Sequence, residues 1–243
     1  MPATAGATRS DAGSAGAAIA LRDVRFGYDR ANAVLDIARL DVARGERVFL
    51  YGPSGSGKTT MLGILAGVLQ ADAGEVRVLG ENLTRRSGRL RDRFRARHIG
   101  YIFQMFNLIP YLSVLENIVL PCLISTERRR RLNGVRPADA AARLTRELGI
   151  AHLVGESVTR LSVGQQQRVA AARALIGAPG LVIADEPTSS LDADRRVAFL
   201  DLLFRVCQES GSTLVFVSHD LGLERLFDRS LSLAELNKAD SRE

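Results

Sequence analysis

A glycine-rich stretch at residues 52–60 constrains the fold more than any other part of this 243-residue chain. It reads Gly-Pro-Ser-Gly-Ser-Gly-Lys-Thr-Thr and contains the pattern G-x-x-x-x-G-K-[ST]. An apolar stretch typical of a strand precedes it at residues 46–51, and residues 60–69 have the apolar spacing of a helix. This strand–loop–helix context predicts a loop whose backbone N–H groups, at the start of a helix, bind phosphate.

Two side chains at the end of this loop extend the prediction to a nucleoside triphosphate. Lys58 is expected to contact the β- and γ-phosphates, and the hydroxyl of Thr59 to bind Mg²⁺. A glycine–serine turn without a ligand is the alternative, which the spacing and the context disfavour. The loop predicts nucleotide binding, but it does not indicate what the energy of the nucleotide is used for.

Length and composition indicate one α/β domain with a full core. The chain is 46% apolar and 25% charged, as is ordinary for a soluble globular protein, and no apolar run reaches the ~18 residues that span a bilayer. Residues 1–18 are rich in small residues and lack the apolar core of a signal peptide, so we expect a disordered tail and a cytosolic protein. Cys122 and Cys207 fit no metal or disulfide pattern and are expected to be reduced core thiols.

Arginine supplies nearly all of the positive charge, since Lys58 and Lys238 are the only lysines and the net charge is +6. The arginines concentrate at residues 85–97 and again at residues 128–131. Such clusters can bind nucleic acid or lie near anionic lipid. A solvated helix face is the simplest interpretation of both clusters, and we adopt it.

The rest of the chain predicts strands around the phosphate-binding loop. Residues 19–29 alternate apolar and polar side chains, and residues 34–42 follow as a possible second strand, which indicates a small antiparallel β-subdomain. Residues 99–104, 181–184 and 214–217 are typical of buried strands. From Gln104 to about residue 160 the pattern is helical and is interrupted by prolines at 110, 121 and 137, which predicts a helical insertion.

Polar residues follow these buried strands in a particular order. Gln104 ends the first, Asp185 and Glu186 follow the second, and His219 follows the third. Between them a Leu-Ser-x-Gly-Gln sequence opens a helix at residues 161–165, and a Ser-x-Leu-Asp turn ends at Asp192. Each motif is weak by itself, but their order and spacing in one chain are specific.

In this order the motifs resemble the ATP-binding subunits of ABC transporters, over residues 19–230. The resemblance implies an α/β fold: a P-loop NTPase (RecA-like) core with a small antiparallel β-subdomain and an inserted helical subdomain at about residues 105–160. A C-terminal tail at residues 231–243 would follow. The resemblance also implies ATP hydrolysis with ATP and Mg²⁺ as cofactors.

The resemblance assigns a role to each matching residue. Tyr28 would stack on adenine, Glu186 would activate the attacking water and His219 would contact the γ-phosphate. The implied catalytic residues are Lys58, Gln104, Glu186 and His219. The implied Mg²⁺ ligands are Thr59, Gln104 and Asp185. The implied nucleotide-binding residues are Tyr28, Gly52, Pro53, Ser54, Gly55, Ser56, Gly57, Lys58, Thr59, Thr60, Ser162, Gly164, Gln165 and Asp192.

The same resemblance implies partners, because the loop and the Leu-Ser-x-Gly-Gln signature face opposite ways in this family. Two copies of the chain would therefore meet head to tail as a homodimer. A separate membrane permease would dock on residues 104–160, at the inner face of the membrane, and no nucleic acid is expected.

Val163 stands where the family usually has glycine. A valine impairs the signature if that position needs a left-handed backbone and costs little otherwise.

Three alternatives remain open. A soluble ATPase of the same superfamily, acting on nucleic acid or in translation, would usually carry long coiled coils or tandem nucleotide domains. A GTPase is suggested by Asn-Lys-x-Asp at residues 237–240, which we interpret as part of a solvated tail. Among transporters, residues 103–110 and 116–121 resemble the ATPases of lipoprotein-release and macrolide-type exporters more than those of amino-acid importers.

Overall fold

The computed structural model of the chain describes residues 16–29, 32–189 and 191–239. Four strands form an antiparallel sheet: β1 (Ala17–Phe26), β2 (Leu35–Ala43), β4 (Ala73–Val78) and β5 (Glu81–Asn82). Their order in the sheet is β2-β1-β4-β5. β1 pairs antiparallel with both β2 and β4, so that Ile19 lies beside Val42 on one side and Val78 on the other. The alternating pattern at residues 19–29 therefore corresponds to a central strand of this sheet.

A second sheet is parallel throughout. Its strands are β3 (Arg47–Tyr51), β6 (Ile99–Ile102), β7 (Leu181–Asp185), β8 (Thr213–Val217) and β9 (Arg229–Ser232). They lie in the order β6-β7-β8-β3-β9, and every neighbouring pair is parallel. Because the strands are parallel, their carboxyl ends meet at one edge of the sheet, where ligands bind in open α/β folds.

Eight helices connect and cover the sheets within the described residues: α1 (Lys58–Leu65), α2 (Gly88–His98), α3 (Val114–Ile124), α4 (Thr126–Arg130), α5 (Pro137–Glu147), α6 (Val163–Leu175), α7 (Ala193–Ser210) and α8 (Leu233–Leu236). Short 3₁₀ turns occur at Ala151–Leu153, Val158–Arg160 and Leu221–Leu226. None of the helices described is both long and apolar enough to cross a bilayer. Pro121 was expected to interrupt a helix but lies inside α3.

The parallel sheet is buried on both faces. Phe49 on β3 points into a core shared with α3, α6 and α7, whereas Val48 and Leu50 point into a core shared with α1 and the antiparallel sheet. Successive side chains of a strand point to opposite faces, so one short apolar run fills both cores. Cys122 and Cys207 are buried and unpaired, each within the first of these cores.

Two element boundaries differ from the sequence prediction. The helix after the loop was expected at residues 60–69, but α1 covers Lys58–Leu65, and Gly67 with φ +69° follows its end. A left-handed glycine just after a helix is a common helix stop. The Asp-Ala-Gly sequence at residues 72–74 is typical of a turn before a strand at residues 76–79, but β4 already begins at Ala73, which pairs with Arg25 of β1.

The C-terminal residues 231–239 are not the solvated tail that we expected. β9 pairs with β3, Leu233 is fully buried, and Asn237 is buried against the antiparallel sheet. Residues 240–243 and residues 1–15 of the expected N-terminal tail lie outside the described residues, and β1 already begins at Ala17.

The solvated-face interpretation is also wrong for one arginine cluster. Arg128 of α4 is buried, and its guanidinium donates to the carbonyl oxygens of Ala96 at 3.0 Å, Ala174 at 3.2 Å and Ile176 at 3.0 Å, and to that of Ile99. Burial lowers the pKa of Arg128 to about 10. The ends of α2 and α6 meet here, and the last carbonyls of a helix lack donors within it. In the other cluster Arg85, Arg89 and Arg93 are exposed, as expected.

Candidate active site

The glycine-rich loop lies between the end of β3 and the start of α1. Gly55 and Gly57 have φ values of +84° and +92°. A Cβ atom at Gly57 would lie 2.8 Å from Cδ2 of Leu35, so both the backbone angle and the space require glycine there. The loop turns the chain so that the free N–H groups of the first turn of α1 lie beside it, as phosphate binding requires.

Lys58 folds back over this loop. Its Nζ donates to the carbonyl oxygens of Gly52 and Pro53, each at 2.8 Å, and the residue is buried. Burial lowers the pKa of Lys58, while the carboxylates of Glu186 and Asp185 oppose this shift. The ammonium group is thus held over the loop and close to two acids, where a phosphate would compete for its protons.

Two carboxylates stand at the end of β7. Burial raises the pKa of Asp185 above its ordinary value, and the neighbouring charge of Glu186 raises it further; Lys58 and a hydrogen bond from Tyr101 act in the opposite direction. Tyr101 lies on the adjacent strand β6, where it pairs with Ile183. Burial, together with the charge of Asp185, raises the pKa of Tyr101 well above its usual range, so its hydroxyl remains a donor to Asp185.

Glu186 has an unusual backbone for a residue that is not glycine, with φ at +46°. Its N–H donates to the carbonyl oxygen of Val217 at the end of β8, at 3.0 Å. From the same strand end, Nε2 of His219 contacts Oε1 of Glu186. The structure therefore brings Lys58, Asp185, Glu186 and His219 together at one edge of the sheet.

Gln104 lies two residues beyond β6 and is exposed. The loop that follows it is held by Arg173 of α6, which donates to the carbonyl oxygens of Phe106 at 2.6 Å and Asn107 at 2.7 Å. Both of those residues have left-handed backbones, with φ values of +58° and +47°. Arg173 and Tyr101 were missed by the sequence analysis, because neither belongs to a motif and each acts through partners distant in sequence.

The Leu-Ser-x-Gly-Gln signature begins α6. The hydroxyl of Ser162 accepts from the N–H of Gln165 at 3.4 Å, and the side chain of Gln165 accepts from the N–H of Ser162 at 2.9 Å, which is a capping box. Val163 is the first residue of α6 and has a helical backbone, so this position does not need glycine for its conformation. Its side chain is 48% exposed.

The signature lies apart from the phosphate-binding loop of its own chain. Among the contacts of the described residues, no hydrogen bond joins Ser162, Gly164 or Gln165 to residues 52–60. The signature instead adjoins the turn before α7: a Cβ atom at Gly164 would lie 3.8 Å from Cδ2 of Leu191. Asp192, next to Leu191, is exposed and caps α7 by accepting from the N–H of Arg195 at 2.9 Å.

Tyr28 borders the phosphate-binding loop from the antiparallel sheet. It is 71% exposed, its ring packs edge-on against Phe26 with centroids 5.1 Å apart, and its hydroxyl lies 3.3 Å from Oγ1 of Thr60. An exposed aromatic face beside the start of α1 is therefore available for a flat ring.

Comparison with known proteins identifies the family. Residues 35–189 match the family described as ABC transporter. An uncharacterized ABC transporter ATP-binding protein, YbbA of Escherichia coli (strain K12), is 42% identical over 201 residues, which cover 83% of this chain and 86% of YbbA. The lipoprotein-releasing system ATP-binding protein LolD of Porphyromonas gingivalis is 37% identical over 219 residues, covering 89% of this chain and 96% of LolD.

Solved structures agree and confirm the predicted P-loop NTPase fold. The dimeric structure of MJ0796, a bacterial ABC transporter cassette, has a TM-score of 0.77 and 32% identity, covering 88% of this chain and 94% of that one. A dimeric post-hydrolysis state of MJ0796 bound to ADP and Pi has a TM-score of 0.78 and 31% identity, covering 91% of this chain and 95% of that one. The chain therefore belongs to the ABC transporter family, as an ATP-binding subunit that hydrolyses ATP.

Proposed function

We propose that two copies of this chain assemble head to tail and power a separate membrane permease that moves lipoproteins or other hydrophobic compounds outward. The observation that carries this proposal is an apolar groove beside Gln104, where a permease segment can lie next to the nucleotide site. Relatives named as lipoprotein-releasing ATP-binding proteins support the export direction. The complex would lie at the inner face of the cell membrane.

The groove lies between α2, β6 and α3 and has a volume of about 620 Å³. Phe103, next to Gln104, lines the groove, and so does Ile124 of α3, which is 67% exposed. Arg173, which holds the loop after Gln104, also lines the groove. A permease segment bound in the groove would therefore contact Phe103, which precedes Gln104, and Arg173, which holds the loop after Gln104. Movement of the permease would in this way be passed to Gln104 at the nucleotide site.

A set of oxygen donors at the carboxyl edge of the parallel sheet fits Mg²⁺. The hydroxyl of Thr59, the carboxylate of Asp185 and the amide oxygen of Gln104 are oxygen ligands of the kind that Mg²⁺ prefers. The described residues contain no ready cluster of three His, Cys, Asp or Glu side chains, which fits an ion that binds through one carboxylate and the substrate phosphates. Mg²⁺ bound here would neutralise phosphate charge during phosphoryl transfer.

The remaining roles follow from the positions of the side chains. Lys58 would exchange its bonds to the loop carbonyls for bonds to the β- and γ-phosphates. Glu186 would accept a proton from the attacking water. The contact with His219 would hold the Glu186 carboxylate in place for this step. Tyr28 would stack on the adenine ring, and Gln104 would orient the water.

The second copy would complete each site. Ser162, Gly164 and Gln165 lie apart from the phosphate-binding loop of their own chain, and they begin a helix whose free N–H groups suit an anion. In a head-to-tail dimer these residues would contact the γ-phosphate held by the partner, with Asp192 in the turn between the two sites. Relatives solved as dimers support this arrangement.

The decisive experiment is a capture from the native host. Tagged Glu186→Gln protein with ATP in mild detergent should retain a permease with few membrane spans and a large outer domain. Adding Ile124→Asp in the groove should abolish this capture. Adding Val68→Asp, at a comparably exposed apolar residue (58% exposed) after α1, should leave it intact.

Other captures would replace the proposal. A permease with many spans together with a solute-binding protein would indicate an importer. Recovery of nucleic acid or ribosomes without a membrane protein would overturn the transporter assignment, although the ATP site would stand. Equal capture by the Ile124→Asp and Val68→Asp proteins would exclude the groove as the docking site.

A further inference from the structure

The C-terminal segment formed by α8 and Asn237 packs against the phosphate-binding loop. Strand β9, which precedes α8, lies beside β3, so that Ser232 pairs with Tyr51 directly before the loop. Leu233 is fully buried, and its Cβ would lie 3.5 Å from a Cβ atom at Gly52. The last described residues therefore support the loop from the protein interior.

Asn237 is 3% exposed and uses both ends of its amide. Its Oδ1 accepts from the N–H of Asp36 at 2.8 Å and from the N–H of Ala239 at 3.2 Å. Its Nδ2 donates to the carbonyl oxygens of Val34 at 2.8 Å and Ser56 at 3.3 Å. Two N–H groups face the oxygen and two carbonyls face the nitrogen, so only one orientation of the amide satisfies all four partners.

The bond to Ser56 has a consequence inside the loop. In a trans peptide the carbonyl of one residue and the N–H of the next point in opposite directions. Anchoring the carbonyl oxygen of Ser56 on Asn237 therefore turns the N–H of Gly57 away from the core, toward the cavity of the loop. Gly57 has φ at +92° and no side chain to restrain this peptide, so the restraint has to come from elsewhere.

We propose that Asn237 is a positioning residue for phosphate binding: it fixes the Ser56–Gly57 peptide so that the Gly57 N–H is aimed at a bound phosphate. Asn237 does not touch the nucleotide. The role also accounts for the Asn-Lys-x-Asp sequence, because an amide whose bonding sites are all taken by the backbone is not available to read guanine. Asp240, the last residue of that sequence, lies outside the described residues.

The test is Asn237→Asp, which keeps the shape of the side chain but replaces the donating nitrogen by an oxygen facing two carbonyls. We expect the KM and the Kd for ATP to rise roughly five- to tenfold, as for the loss of one oriented hydrogen bond. The kcat should change less than about twofold, because a phosphate contact made equally in the ground and transition states affects KM alone.

Two controls separate positioning from simple support. Lys238→Gln makes the same change in net charge at the next, exposed residue and should leave KM, Kd and Tm unchanged. Leu236→Ala removes packing from the same segment, at a partly buried residue, without altering the amide or the contact of Leu233 with Gly52. It should lower Tm while leaving KM and Kd near the wild-type values.

The proposal is overturned if Asn237→Asp lowers Tm as Leu236→Ala does but leaves KM and Kd within about twofold of wild type. If the aspartate variant does not fold, Asn237→Ala, which removes the donating amide without adding charge, decides by the same comparison. Hydrolysis of GTP in excess of ATP by the wild-type chain, lost in the Asn237 variants, would also contradict it.

Discussion

Nε2 of His219 contacts Oε1 of Glu186, across the ends of two neighbouring parallel strands. The backbone of Glu186 is held from the same side, since its N–H donates to Val217 at 3.0 Å while its φ remains at +46°. A left-handed backbone at a residue other than glycine costs on the order of 1 kcal/mol and persists only where neighbours enforce it. These two contacts therefore fix the direction of the Glu186 carboxylate.

Glu186→Gln should slow ATP hydrolysis by about 10²–10⁴-fold, because an amide of the same shape cannot accept a proton from water. The Kd for ATP should change little, since Lys58 and the loop remain. Steady-state hydrolysis and equilibrium titration of the purified chain measure the two effects. Hydrolysis at the wild-type rate would remove Glu186 from the catalytic role.

Asp185→Asn should raise the Tm of the nucleotide-free protein at neutral pH. Burial and the charge of Glu186 raise the pKa of Asp185 in the folded state above the ordinary value of 3.8. The ionised carboxylate therefore destabilises the fold at pH values above its folded-state pKa, and this penalty disappears once the pH falls below the unfolded value. The Asn variant should thus be more stable than wild type near pH 7, and the difference should vanish only below the unfolded pKa of 3.8.

A pH series of thermal melts tests this, with Asp201→Asn on the exposed face of α7 as the control. The Tm of the Asp201→Asn protein should not rise by a comparable amount at neutral pH. A lower Tm for Asp185→Asn at neutral pH would mean that the attraction of Lys58 and the hydrogen bond from Tyr101 outweigh burial. ATP hydrolysis by Asp185→Asn should be lost whatever its Tm, because the proposed Mg²⁺ ligand is gone.

The parts of this site that the sequence predicts depend on local chemistry. Gly57 is required by a backbone angle within the loop itself, Glu186 directly follows β7, and His219 lies two residues after β8. Parallel strands bring such ends together whatever the details of packing. A short periodic pattern and a few turn residues were therefore sufficient to predict that these side chains lie at one edge of the sheet.

The parts that the sequence does not predict depend on contacts between distant segments. Arg128 stands in a run of four arginines, and only the folded chain shows that it meets carbonyls 29 to 48 residues away. Asn237 lies 181 residues from Ser56. In both cases the partners are backbone groups, which nearly every residue carries, so no sequence pattern identifies them.

Arg128→Met should destabilise the fold by roughly 3 kcal/mol, since it leaves several buried carbonyls without a donor. Arg130→Met, two residues along the same short helix and exposed, should change stability by no more than about 0.5 kcal/mol. Urea denaturation measures both variants. Equal free energies of unfolding for the Arg128→Met and Arg130→Met proteins would show that water reaches the carbonyls of Ala174 and Ile176 when the guanidinium is removed.

Val163→Gly should change ATP hydrolysis by less than about twofold, because the N–H groups at the start of a helix do not depend on its first side chain. Stability should fall by no more than about 0.5 kcal/mol, the difference in helix propensity between the two residues. The expectation rests on the position of Val163 as the first residue of α6, where the backbone is already helical. A tenfold gain in hydrolysis by the glycine variant would contradict it, and would mean that the exposed valine side chain, rather than the backbone, restrains the approach of a second copy.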